Sequence, residues 1–372
     1  MQPRLAESTF EGNSTVDLQF WTHARTLPRL VGPAVRRAEL EGWTGVTLGD
    51  SQNMSGDPYV ALGTAIASSA TIRMSTGVTN PLTRHPVVTA SAIMSGAIES
   101  GGRVELGVGR GDSALAHIGM PPVSVETLQD FLEIARLYLQ GDPVPIERAA
   151  QGSTRVIGDG LPLGTVPTES RLMWMDELVA QGVITSRPSV PLWVVASGPR
   201  TIELAARLCD RVTLAVGADP ERVRWAIDLA RATNPDVAIG AYVTVVVDED
   251  PDRALALSKG GIATFVRFSG MHGQVHGLVS EDDRRIMLEV PRRYDMYQHA
   301  RTGPQADVIT REFAERFAII GPAGFCTERL QELAALGIDR FHVTGASRGQ
   351  EEHDVDDANR RFVEEVMAGL AR

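Results

Sequence analysis

The sequence predicts a single-domain (β/α)8 barrel, a TIM barrel with irregular insertions near its C-terminal mouth, on three observations. Short Val- and Ile-rich runs alternate with helix-like segments along the chain, the mark of βαβ units around a parallel sheet. Eight strand signals each lead into a helix, which suits a closed barrel better than an open sheet. No low-complexity linker divides the 372 residues, and 43% hydrophobic with 22% charged residues is an ordinary globular composition.

Taken in order, Val16–Trp21 reads as the first strand and Leu30–Gly42 as a helix closed by glycine. Val46–Leu48 and Pro58–Ser69 form the second unit, Ile72–Val78 and Pro86–Glu99 the third, and Val104–Gly109 the fourth strand. After a helix over Val125–Gln140 the rhythm breaks. Residues 141–189 are polar and Gly/Pro-rich, with a short helical piece around Trp174–Leu178, and a loop this long is usually functional. Alternation resumes with Leu192–Ala196, a helix Arg200–Leu208, Val212–Val216, a helix Pro220–Ala232 and Ile239–Val247. Residues 258–303 read as a second irregular region, with closely spaced glycines and His272, His276 and His299. Phe313–Ile320, a helix Phe325–Leu336, Phe341–Thr344 and a closing helix Asp354–Leu370 complete the pattern.

Composition removes several function classes. A net charge of −11 argues against a phosphate-tracking surface for nucleic acid, which needs clustered Lys and Arg. The apolar runs are far shorter than the about 20 residues needed to span a bilayer, and Met1–Ser14 has no signal-peptide core, so a cytoplasmic protein is expected. Cys209 and Cys326 stand far apart without a CxxC or Cys/His cluster. They indicate neither a disulfide framework nor zinc, and both are expected to be buried thiols.

Four motifs invite a chemical reading. Gly107-Val108-Gly109-Arg110-Gly111-Asp112 follows a strand but lacks the third glycine of a dinucleotide fingerprint, and Pro121 and Pro122 delay the helix. What remains is a polar loop at the C-terminal end of a strand, where barrel enzymes place their chemistry. Gly345-Ala346-Ser347-Arg348-Gly349 fits the GxSxG nucleophile elbow, but too little chain follows it to bring an acid and a histidine on further strands. His272 and His276 have i,i+4 spacing without an intervening glutamate and sit beside glycines, which points to a loop and to no metal. Ala196-Ser197-Gly198-Pro199-Arg200-Thr201 opens a helix after a strand, an arrangement suited to phosphate; a plain N-cap by Ser197 or Thr201 is the alternative.

Thr76-Gly77-Val78-Thr79-Asn80-Pro81, continued through Thr89-Ala90-Ser91-Ala92-Ile93 to Leu106–Asp112, resembles the methylenetetrahydromethanopterin reductase-like branch of the luciferase-like superfamily. Ala196–Pro199 with Glu203-Leu204-Ala205 is similar to that family's cofactor-phosphate segment, and Ile320-Gly321-Pro322 before Leu330 and Leu333 to its late strand-helix unit. The likeness spans most of the chain outside the two irregular regions.

The resemblance implies a barrel oxidoreductase that passes a hydride from reduced coenzyme F420, a deazaflavin, to a small organic acceptor. FMN is the alternative cofactor, in a monooxygenase supplied by a partner flavin reductase, and a non-catalytic flavin-binding barrel is a third reading. It further implies Asp50 and Asp112 as catalytic residues. Ser51, Gly77, Val78, Asn80, Arg110, Gly111, Ser197, Gly198, Arg200 and Thr201 would bind the cofactor. Gly77–Val78 is expected to be a cis peptide bulging towards the cofactor ring, and a homodimer is expected. Many deazaflavin dehydrogenases carry Asp-His after the second strand. Asp50-Ser51 stands here instead, which disfavours alcohol oxidation and favours reduction.

Overall fold

Two-residue alternation points successive side chains of each strand towards the surrounding helices and towards the barrel interior in turn. The computed structural model describes residues 18–150, 165–299, 303–347 and 350–370. Among them nine parallel strands carry the frame: β1 (Gln19–Ala24), β2 (Gly45–Leu48), β3 (Arg73–Thr76), β4 (Val104–Val108), β5 (Leu192–Ala196), β6 (Arg211–Leu214), β7 (Ala238–Val247), β8 (Ile319–Gly321) and β9 (Arg340–Thr344). Eight of them close a ring in the order β1, β2, β3, β4, β5, β6, β7, β9, with β9 returning to β1. The ninth, β8, pairs with the end of the long β7 at Val245–Val247. The expected (β/α)8 barrel is therefore present.

Outward residues such as Val46, Leu48, Met74, Leu106, Val194 and Val212 are buried under the helices and form the main core. Inward residues stack in layers, as barrel interiors do. Gln19, Arg73, Glu105, Arg211 and Arg340 occupy the N-terminal end. Trp21, Ser75, Trp193, Tyr242 and His342 lie above them, and His23, Thr47, Gly77, Gly109 and Val195 come next. Helix starts are marked in the sequence. Asp57, Asp219 and Asp250 each accept two backbone N–H bonds as N-caps, and each precedes a proline at the first helical position.

Several boundaries and one region depart from expectation. The first strand runs to Ala24 rather than ending at Trp21, while Val16 and Asp17 lie outside the described residues. The second region read as irregular is largely helical where it is described: a helix over Pro251–Gly270 and another over Glu281–Arg293 fill most of residues 258–299. Of the closely spaced glycines, Gly261 and Gly270 serve close approach. A Cβ at Gly261 would press on Thr244 of β7, and one at Gly270 would strike the Met287 carbonyl of the next helix. Phe313–Ile320 divides into a helix, Arg311–Phe317, and then β8. Asp112 does not stand in an open loop but begins a five-residue helix, Asp112–Ala116. In the first insertion, Val144–Pro145 pairs antiparallel with Glu169–Ser170, and the helical piece runs Met173–Ala180; residues 151–164 lie outside the described residues. Both cysteines are buried and free. No helix among the described residues is long and apolar enough to cross a membrane.

Candidate active site

At the C-terminal ends of the strands the barrel opens into a cavity of about 1490 Å³. Pockets for a single small ligand run about 300 to 1,000 Å³, so this one has room for a cofactor and a second molecule together. The peptide bond Gly77–Val78 in its wall is cis. Gly77 lies against Thr47 of β2 so closely that a Cβ would overlap the threonine side chain, which explains why glycine stands there.

Asp50 leaves the end of β2 and is 3% exposed. Its Oδ2 accepts from Thr79 Oγ1 at 2.7 Å and its Oδ1 from Gln52 Nε2 at 2.5 Å, so both oxygens are engaged. Burial raises its pKa above the ordinary carboxylate value, opposed by the Thr79 hydrogen bond and by Arg84. A carboxyl with a raised folded-state pKa contributes stability that is complete below the unfolded pKa and is lost as pH rises through the folded one. Asp50→Asn is therefore expected to raise Tm at neutral pH, with the gap closing below about pH 4, where the unfolded carboxyl is protonated too. Thermal melts of both proteins at pH 7 and pH 3.5 check this, and an equal gap at both would rule out ionisation as the cause.

Asp112 follows β4, and β3 lies between β2 and β4, so the two aspartates stand on alternate strands of the ring and not on neighbouring ones. Gly111, with φ +83°, makes the turn that starts the Asp112 helix. Asp112 Oδ1 meets Arg267 Nη2 at 3.2 Å, the two side chains being 18% and 6% exposed. Its Oδ2 is buried without a hydrogen-bond partner among the described residues. Burial pushes the Asp112 pKa up, even against Arg267, His272 and Arg110. Arg267 is itself held by Ser113 Oγ at 2.8 Å and lies 4.6 Å from the Tyr294 ring centre.

The other expected residues divide. Ser51, Gly77, Val78, Arg110, Gly111, Ser197, Gly198, Arg200 and Thr201 line the cavity. Asn80 does not. Its Oδ1 accepts from the N–H groups of Leu82 and Thr83 and its amide donates to Thr83 Oγ1, so it shapes the exit of the Gly77–Val78 segment from behind Gly111. Arg110 donates to the Val123 carbonyl at 2.7 Å and reaches His272 Nε2 at 3.1 Å, tying the β4 loop to the end of the Pro251–Gly270 helix. Arg200 turns outward, 69% exposed, to pair with Glu126.

Gly198 is the N-cap of the Pro199–Leu208 helix and supplies no side-chain cap, while Ser197 Oγ donates to the Phe268 carbonyl at 3.3 Å. The plain serine cap is thus set aside. Of the first-turn N–H groups, Pro199 has none and Thr201 donates to the Gly198 carbonyl, which leaves those of Gly198 and Arg200 for a ligand.

Two sequence motifs lose their chemical reading. Ser347 Oγ accepts from the Gly261 N–H at 2.9 Å and its own N–H donates to the Leu257 carbonyl, so the serine fastens the last loop to the long helix; Arg348 and Gly349 lie outside the described residues. His272 and His276 sit in the loop after that helix, and no cluster of metal-ligating side chains occurs among the described residues.

The family model for luciferase-like monooxygenases matches residues 18–340. The chain belongs to that family. The 5,10-methylenetetrahydromethanopterin reductase of Archaeoglobus fulgidus is 29% identical over 326 residues, covering 85% of this chain and 89% of the relative. The enzyme of the same name from Methanopyrus kandleri is 24% identical over 340 residues, covering 85% and 88%. The solved structure of the coenzyme F420-dependent tetrahydromethanopterin reductase from Methanopyrus kandleri superposes with a TM-score of 0.66 at 20% identity, covering 95% of this chain and 99% of that one, and supports the fold.

Within this luciferase-like barrel, the residues missed by sequence reasoning are Arg267, His23, Tyr242 and His342. Arg267 was hidden in a region read as irregular. The other three stand at alternate, inward positions of β1, β7 and β9, a periodicity that was available in the sequence.

Proposed function

We propose that this luciferase-like oxidoreductase binds reduced coenzyme F420 in the mouth cavity and directs a hydride from it to a small organic acceptor. The observation that carries the reading is the buried Oδ2 of Asp112, which has no hydrogen-bond partner among the described residues. Asp50 has both oxygens occupied and is followed by serine, so Asp112 is the carboxyl left to hold or move a proton. Reduction of an activated double bond needs one such group, while the cofactor, when bound, supplies the hydride.

The residues present fit such a cofactor. The cis Gly77–Val78 segment would offer a ring the branched aliphatic face of Val78, Gly109 packs against that side chain so closely that a Cβ would strike it, and the Gly198 helix start suits a phosphate. The relatives named above as methylenetetrahydromethanopterin reductases support the same cofactor class. A homodimer belongs to the proposal, as does the exclusion of bulk water from the reacting atoms when cofactor and acceptor are bound.

Fluorescence titration of the isolated protein with oxidised F420 and with FMN is expected to show tighter binding of F420. FMN binding tighter by tenfold, about 1.4 kcal/mol, would instead favour an FMN-dependent monooxygenase fed by a flavin reductase. Binding of either without turnover of any acceptor would leave a non-catalytic flavin carrier.

A further inference from the structure

The floor of the cavity is a nest of aromatic rings around His342. On β9 this residue is paired with Trp21 of β1 on one side and Tyr242 of β7 on the other. Its ring centre lies 4.7 Å from that of Tyr242, 4.9 Å from Trp193 and 5.5 Å from Trp21. Beneath it the Arg340 guanidinium lies 4.4 Å from the Trp21 ring and is paired with Glu105, closing the barrel from below. From above, the cavity reaches down to His342, Trp21 and Tyr242.

His342 is 2% exposed, yet neither Nδ1 nor Nε2 has a hydrogen-bond partner among the described residues, and Trp21 Nε1 beside it has none either. Buried polar atoms are almost always paired, with protein or with ordered water, because leaving them dry forfeits the hydration they had in the unfolded chain. The surrounding rings cannot serve: Trp193 Nε1 is already donated to Ser75 Oγ at 3.0 Å.

We propose that this floor is a binding subsite for a small neutral group that both donates and accepts hydrogen bonds, held between His342 and Trp21 Nε1 and filled by water when nothing else enters. The chemistry of the site selects the class. Burial, with Arg340 and Arg211 near by, holds His342 well below the ordinary histidine pKa, so the ring is neutral and offers one N–H and one lone pair. An apolar group would leave three polar atoms unpaired. A cation would meet the two arginines, and an anion would meet the imidazole lone pair above an arginine whose charge Glu105 already balances.

The subsite is also connected upwards. The Tyr242 hydroxyl lies near the Thr47 side chain, Thr47 Oγ1 lies 3.2 Å from His23 Nδ1, and Thr47 abuts Gly77 of the cis peptide. A hydroxyl, amide or lactam edge of a cavity ligand that displaced the water would therefore touch a polar column ending beneath that peptide.

The test uses the whole protein without added cofactor, so its outcome is independent of which cofactor the enzyme takes. A crystal structure at atomic resolution is expected to show water within hydrogen-bond distance of a His342 nitrogen and of Trp21 Nε1. Spectra of ¹⁵N-histidine-labelled protein should show an imidazole exchanging protons with water, a signal absent from His342→Phe. Crystals soaked in formamide, the smallest neutral donor-acceptor probe, should show it replacing that water. His342→Phe keeps the ring stack and removes both nitrogens. If the site is hydrated, its Tm is unchanged or lower. A dry floor in the crystal, no exchange signal and a raised Tm for His342→Phe would overturn the proposal, and formamide bound only elsewhere would overturn the assigned ligand class.

Discussion

Replacing Asp112 by asparagine is expected to lower turnover on the order of 10²-fold, the usual loss when a positioned acid or base is removed. Asparagine keeps the shape of the side chain and the turn that begins at Gly111, so F420 affinity should stay near the wild-type value. The argument rests on the asymmetry of the two oxygens. Oδ1 is tied to Arg267 at 3.2 Å, while Oδ2 is buried and unpartnered among the described residues. Burial raises the pKa, Arg267, His272 and Arg110 lower it, and burial prevails. A carboxyl balanced in this way exchanges a proton more readily near neutral pH than an exposed aspartate does. Stopped-flow oxidation of reduced F420, with an acceptor found by screening, gives kcat and KM separately. Equal losses in kcat and kcat/KM would mark an interaction made only in the transition state, whereas a wild-type kcat with unchanged cofactor affinity would remove Asp112 from the chemistry.

The readable parts of this molecule were those decided by local periodicity. Strand-helix alternation gave every barrel strand to within a few residues, while the cis bond at Gly77–Val78, which the structure contains, was implied by the family resemblance of Thr76–Pro81 and not by periodicity. Failures came where long-range packing overrides a local signal. Gly261 and Gly270 look like breakers until the close approach of the helix to β7 and to the Glu281–Arg293 helix is known, and with that helix went Arg267, the partner of Asp112. Arg200 looked like a phosphate ligand because its partner, Glu126, is 74 residues away in sequence. Asn80 belonged to a recognisable motif, yet only the hydrogen-bond geometry shows that its amide is spent on its own loop. The inner column of Trp21, His23, Tyr242 and His342 was hidden for another reason. Parallel barrel strands are buried on both faces, so alternation separates wall from interior without showing which side is wet.

Glu105→Gln is expected to destabilise the protein by about 3 to 5 kcal/mol, the loss typical of breaking a buried ion pair from one side. Glu105 sits on the inner face of β4 and is 1% exposed, with Arg340 of β9 at 5%. Its Oε2 accepts from Arg340 Nη1 at 2.7 Å, and its Oε1 accepts from Arg340 Nη2 at 3.1 Å and from Arg73 Nε at 2.9 Å. Strands on opposite arcs of the ring are thus joined across its axis. Glutamine offers one acceptor where the carboxylate has two, and its amide would point N–H groups at a guanidinium, leaving a full positive charge buried against Trp21 and below His342. Because the cost arises mainly from that stranded charge and not from the worth of the pair, removing both partners should recover much of it. Thermal melts of Glu105→Gln, Arg340→Met and the double variant, at one fixed scan rate, form the cycle that measures this. Strong positive coupling, with the double variant more stable than Glu105→Gln alone, is the expected result. Additive losses would show that the two side chains act as separate packing elements and that the lower end of the barrel is not sealed by their pairing.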